Sequence, residues 1–230
     1  DHTPEYVSVA QSPVAYDPTA PAPFWEHFID EVTTGDVDQG VILQQFAGYC
    51  LTCSTIYEKS LIIQGTGGNG KGKYVHALRQ IIGPDCTSNK SIEEMNQRFG
   101  LAGLFGKKLN VVDEISGHYF ESDVIKHVIS GEPVTAEIKN KQEPLNFKPF
   151  AKIIFTVNDL PRLNDVSDGV YRRFIIMTFD QKFAEEADDA KGIKKRDNHL
   201  DEKINAELSG ILNWALKGLK TLNEQGKFLV

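Results

Sequence analysis

The sequence predicts an α/β protein in which a central parallel sheet is preceded by an N-terminal helical subdomain and followed by a C-terminal helical segment. Three observations carry this expectation. Short apolar runs at residues 60–64, 109–112, 153–157 and 174–177 each stop at a polar residue or a glycine, as strands buried on both faces do. Apolar residues recur at helical spacing between them, as at Val75, Leu78, Ile81 and Ile82. The first run passes directly into a glycine-rich loop that opens this helical stretch, the strand–loop–helix beginning of an α/β unit.

The elements follow in order. Residues 1–23 carry five prolines (Pro4, Pro13, Pro18, Pro21, Pro23) and little periodicity, which predicts an extended lead-in or linker. From residue 24 the pattern turns helical. Trp25, Phe28 and Ile29 share one face, and Val41, Leu43, Phe46 and Leu51 recur in a second stretch beyond Gly35, Asp36 and Gly40. Residues 24–55 are therefore read as the helical subdomain and 56–182 as the α/β core. Inside the core, residues 134–138 alternate instead of running apolar, which predicts a half-exposed hairpin with Lys139, Asn140, Lys141 and Gln142 at its tip. Residues 183–230 are read as the C-terminal segment. A charged, weakly patterned stretch over 185–197 leads there into one long amphipathic helix bearing Leu200, Ile204, Leu208, Ile211, Ala215, Leu219 and Leu222.

Composition bounds the function classes. The chain has 230 residues, 40% apolar and 25% charged, which excludes disorder, collagen and a disulfide mini-protein. Its net charge of −7 argues against a uniformly basic nucleic-acid coat but leaves a local basic patch open. No apolar run is long enough to span a membrane, and the polar, proline-rich start is not a secretory signal. The chain opens on Asp1, which predicts a piece of a longer polypeptide. Three cysteines are too few for a disulfide framework and point to a reducing, cytoplasmic setting.

Gly65-Thr66-Gly67-Gly68-Asn69-Gly70-Lys71 fits GxxxxGK in the strand-to-helix context that gives the motif meaning. Glycines let successive backbone N–H groups turn toward phosphate oxygens, the helix start adds its dipole, and Lys71 adds a point charge. The next position, where a Ser or Thr hydroxyl usually meets Mg²⁺, is Gly72, followed by Lys73. Either water fills that place or the metal leans harder on an acidic group elsewhere.

Such a group follows the second strand. Asp113 and Glu114 end it, so that Asp113 can hold Mg²⁺ while Glu114 orients or deprotonates a water. Asn158 ends the third strand and can hydrogen-bond the attacking water or the γ-phosphate, although an asparagine there can equally cap a turn. Arg172 and Arg173 precede the last strand, where a guanidinium can serve a neighbour's nucleotide. Lys139, Lys141, Lys148 and Lys152 share a stretch holding one acid, Glu143, and such concentrated charge can follow a phosphate backbone.

In this order the strings GTGGNGKGK (65–73), KKLNVVDEI (107–115), VISGEPVTAEIKNKQEPLNFKP (128–149), FTVNDLPRL (155–163) and GVYRRFIIMTF (169–179) resemble one family. It is the superfamily 3 helicase domain of phage and plasmid primase–helicases, related to poxvirus-type replicative NTPases within the AAA+ class. FAGYCLTC (46–53) and ELSGILNWALKGL (207–219) also resemble it, and the likeness covers about residues 24–224 with gaps. The resemblance implies an AAA+ P-loop NTPase core, ATP and Mg²⁺ as cofactors, and a homo-hexameric ring whose sites are completed by adjacent subunits. It implies single-stranded and forked duplex DNA as partners, with Lys126, Lys139 and Lys141 on the DNA side. Arg172 and Arg173 become the trans-acting pair, Arg173 being preferred because it adjoins the strand. Primase or initiator activity would belong to sequence outside this chain.

The function these readings predict is an ATP-dependent, ring-forming replicative DNA helicase domain of a mobile element. The alternative is a nucleotide-dependent DNA-loading or origin-remodelling module that does not unwind by itself. Cys50 and Cys53 form a CxxC without the two further ligands zinc needs, so they are read as small buried residues. His118 and His127 receive no role, and Trp214 is read as core.

Overall fold

The computed structural model describes residues 11–113, 123–140, 143–160 and 172–229. The chain opens with helices α1 (Pro23–Val32) and α2 (Val37–Cys50), then enters β1 (Ser60–Gln64) and α3 (Lys71–Ile82). After β2 (Thr87–Ser88), the short α4 (Ile92–Asn96) and β3 (Leu109–Asp113) comes α5 (Asp123–Ser130). The hairpin β4 (Val134–Ala136) and β5 (Leu145–Phe147) leads into β6 (Lys152–Val157) and β7 (Phe174–Thr178). A two-stranded ribbon, β8 (Lys182–Ala184) with β9 (Ile193–Lys195), precedes α6 (Leu200–Ala206) and α7 (Leu208–Gln225).

Five strands run parallel in the order β2–β3–β6–β1–β7. Their near-continuous apolar sequences follow from burial on both faces. Leu61, Ile63, Val111 and Ile154 pack on one face with α1, α2, α3 and α7, whereas Ile62, Val112, Ile153 and Phe155 pack on the other with α4 and α5. Trp25 anchors the larger layer, stacked on Tyr74 and edge-on to Trp214, so Trp214 is a core residue as expected. Helices α2 and α7 meet backbone to backbone. A Cβ at Gly48 would stand 2.3 Å from the Ala215 carbonyl oxygen, and only glycine permits that approach.

The tail differs from the single helix its periodicity predicts: it breaks at Glu207 into α6 and α7. The physical reason lies at the other end of the chain. The N-cap residue of α1, Ala22, has no side chain able to cap it, and the Glu207 carboxylate accepts instead from the backbone N–H groups of Phe24 (3.1 Å) and Trp25 (2.9 Å). The described part of the proline-rich lead-in is also tied to the helices. Ser12 Oγ donates to the Ile81 carbonyl at 2.6 Å, and Asn213 Nδ2 donates to the Asp17 carbonyl at 2.7 Å.

Two further expectations change. Lys152 does not belong to the basic patch: it starts β6, is 2% exposed, and donates to the carbonyls of Thr52 (2.6 Å) and Phe150 (3.0 Å) above the Tyr49 ring. Strand burial overrides its place in a lysine-rich run. Of the CxxC pair, Cys50 is buried but Cys53 is exposed, because α2 ends at Cys50 and the chain turns outward.

Candidate functional site

Parallel pairing of β3, β6 and β1 brings three carboxyl ends to one edge of the sheet. The glycine-rich loop leaves β1 there and enters α3 at Lys71. Gly67, Gly68 and Gly70 all have positive φ. At Gly70 the requirement is double: φ is +88°, and a Cβ would stand 2.8 Å from Val32 Cγ1 of α1. The exposed Thr66, Gly67 and Gly68 form the outer arc, while Gly65 N donates to the Val157 carbonyl at 3.0 Å. The ribbon holds the other side: Phe183 N donates to the Gly68 carbonyl at 2.8 Å, and the buried Asn69 donates through Nδ2 to the Gln181 carbonyl at 2.9 Å.

Lys71 Nζ donates to the Gly65 carbonyl and, at 3.3 Å, to Asn158 Oδ1 just past β6. Partial burial pushes the pKa of this ammonium down. Asp113, exposed at the end of β3, lies opposite Thr156 in the β3–β6 register, and Thr156 Oγ1 donates to its Oδ1 at 2.6 Å. The fold thus gathers Lys71, Asn158 and Asp113, with Thr156 between the last two. Glu114 lies outside the described residues. Gly72 is exposed, and Lys73 is held by both Asp201 carboxylate oxygens (2.7 and 2.8 Å), tying α3 to α6.

Arg172 and Arg173 are elsewhere. They precede β7, where the Arg173 carbonyl accepts from Ser60 N at 2.8 Å, so they occupy the amino end of the sheet. The five residues of β1 separate that end from the loop by roughly 16 Å at ~3.3 Å per residue. Arg172 is exposed. The Arg173 guanidinium is 12% exposed, donates to Ser130 Oγ at 3.1 Å and pairs with Glu58 at 3.5 Å.

On the hairpin, Lys139 is exposed beside Asn140, whose φ of +66° turns the tip; Lys141 lies outside the described residues. Lys126 sits on α5 and pairs with Asp123 at 3.1 Å. Arg98 ties the preceding loop to the hairpin through Glu137 at 2.6 Å, and Phe105 meets Phe147 edge-on at its base.

A cavity of about 620 Å³ adjoins the glycine-rich loop. The stretch 68–73 forms one wall, and Phe24, Phe28, Phe183 and Leu200 supply apolar surface opposite, with His27 and Arg196 also lining it. Sequence reasoning missed this cavity because its walls come from α1, the ribbon and α6. It also missed Thr156, although a hydroxyl two residues before Asn158 in an apolar strand points the same way as Asn158. Chemically, a glycine-rich loop opening a helix, an ammonium, a carboxylate and an amide at one edge suit a polyphosphate accompanied by a hard cation.

Comparison with known proteins gives three findings. A family model described as a family of unknown function (DUF5906) matches residues 63–173. A protein of Acanthamoeba polyphaga mimivirus named "Putative helicase L207/L206" is 25% identical over 199 residues, covering 77% of this chain and 20% of its own length. Apo structures of the NrS-1 C-terminal region share the fold at 18% identity. One has a TM-score of 0.70 and covers 93% of this chain and 52% of its own; another, of region 305–718, has 0.67, 91% and 53%. This chain therefore spans about a fifth of the curated relative and about half of those solved regions.

Proposed function

We propose that the chain is the ATP-hydrolysing motor domain of a ring-forming replicative DNA helicase. The observation that carries this reading is the meeting of Lys71, Asn158 and the Asp113–Thr156 pair at the carboxyl ends of three adjacent strands, beside the glycine-rich loop. The mimivirus relative, whose printed name is a helicase, supports the same class.

In this reading the loop amides of 66–70 and the Lys71 ammonium bind the β- and γ-phosphates. The aromatic cavity takes the base, with the partly exposed Phe24 and Phe183 available for stacking. Asn158, already bonded to Lys71, orients the attacking water, and Glu114 removes its proton. Mg²⁺ fits the donors present, since Asp113 and Thr156 offer the hard oxygen atoms it takes together with phosphate and water. Bound there, it would neutralise charge on the phosphates.

The arginines argue for a ring. No side chain at the amino end of β7 reaches across the sheet to its own glycine-rich loop, so Arg172 and Arg173 act on nucleotide only if a neighbouring subunit presents them. Arg173 would exchange Ser130 and Glu58 for that phosphate, whereas Arg172 is already exposed. Lys139 and Lys141 of the hairpin then grip single-stranded DNA. The test is strand displacement on a forked duplex, with mass measured with and without an ATP analogue. ATP-dependent unwinding by a hexamer, lost in Glu114→Gln with analogue binding retained, is expected. Full ATP turnover by Glu114→Gln would sink the assignment.

A further inference from the structure

Position 72 has no side chain, yet the fold does not demand its absence: a Cβ built at Gly72 meets no atom within 4 Å, and its φ is not positive. A hydroxyl at this point of such a loop normally meets the phosphate-bound cation. Among the described residues, a hydroxyl reaches the acidic group from β6 instead, where Thr156 Oγ1 donates to Asp113 Oδ1 at 2.6 Å.

We infer that Thr156 is a positioning residue that compensates for the hydroxyl missing at position 72. Register sets the two backbones opposite each other, and from that position the Thr156 hydroxyl reaches the Asp113 carboxylate. Donation to Oδ1 holds the Asp113 carboxylate in one orientation and leaves Oδ2 as the acceptor for a Mg²⁺-bound water. Lone pairs on Oγ1 remain to accept from a second water of the same ion. This inference rests on the nucleotide-binding reading given above.

The test titrates Mg²⁺ into the protein with a fluorescent ATP analogue, for the parent chain, Thr156→Val, Thr156→Ser and the double variant Gly72→Ser/Thr156→Val, each checked for an unchanged melting transition. Thr156→Val should require about 10-fold more Mg²⁺ for half-maximal binding, the lower end of the usual cost of losing a partner of a metal ligand, with affinity in EDTA unaltered. Thr156→Ser should behave as the parent, and the double variant should recover most of the loss. Parent-like Mg²⁺ dependence in Thr156→Val, failure of Thr156→Ser alongside it, or no recovery in the double variant would overturn the inference. A parent chain that binds no nucleotide at any Mg²⁺ concentration would instead remove the nucleotide reading itself, and this inference with it.

Discussion

The Asn158 amide oxygen accepts from the Lys71 ammonium at 3.3 Å, joining the end of β6 to the first residue of α3, the helix that follows the neighbouring strand β1. Asn158→Ala should leave analogue affinity within a few-fold of the parent and lower turnover on the order of 100-fold, the scale of losing one positioned hydrogen-bonding group. Steady-state hydrolysis alongside equilibrium binding separates the two effects, and equal losses in both would contradict a role in turnover.

Glu207 is the cap of α1, held from the far end of the chain. Glu207→Ala should cost about 0.5–2 kcal/mol, the range for removing a helix cap, and Glu207→Gln less, since its amide oxygen still accepts. Urea unfolding followed by circular dichroism reads both.

Lys152 makes stability depend on alkaline pH. Burial pulls its pKa down from 10.5 to about 8, and among the described residues its ammonium meets two carbonyls and no carboxylate. Between those values the unfolded chain binds more protons than the folded one, so stability rises with pH through the window and is lost as pH falls toward 8. The full gain is about 3 kcal/mol at ~1.4 kcal/mol per unit. Stability curves at pH 8 and pH 10 should diverge for the parent and run closer together for Lys152→Met. Parallel curves would place the titration elsewhere.

Thiol chemistry should distinguish the three cysteines. Cys53 is exposed, Cys86 is buried, and Cys50 is buried with its thiol pushed up to about 12. A chromogenic disulfide reagent should find one fast thiol per native chain and all three after denaturation. Two fast native thiols would mean that the packing over Cys50 or Cys86 opens readily.

The frame of this protein was legible because it rests on local pattern. Four apolar runs became four parallel strands, and the alternation at 134–138 became half of a hairpin. Legibility failed where a residue's role depends on distant chain. Lys152 sits in a basic run, but its strand carries it inside. The periodicity from Leu200 to Leu222 is unbroken, yet Glu207 interrupts the helix to serve α1. The cavity walls at Phe24, Phe183 and Leu200 are far apart in sequence, so no local window contains them. Thr156 alone of the missed residues had a local signal, its parity with Asn158.

The span between Glu207 and Phe24 is 183 residues, and that distance imposes an order on events as the chain is made. Along this stretch of chain α1 is made before every strand of the sheet, and the carboxylate that receives its first N–H groups is made after them. Only when the last two helices leave the ribosome can α1 be finished, and with it the cavity wall at Phe24 and Phe28. The helix that carries Phe24 and Phe28 of the cavity wall is thus held by a residue that follows every strand of the sheet in sequence.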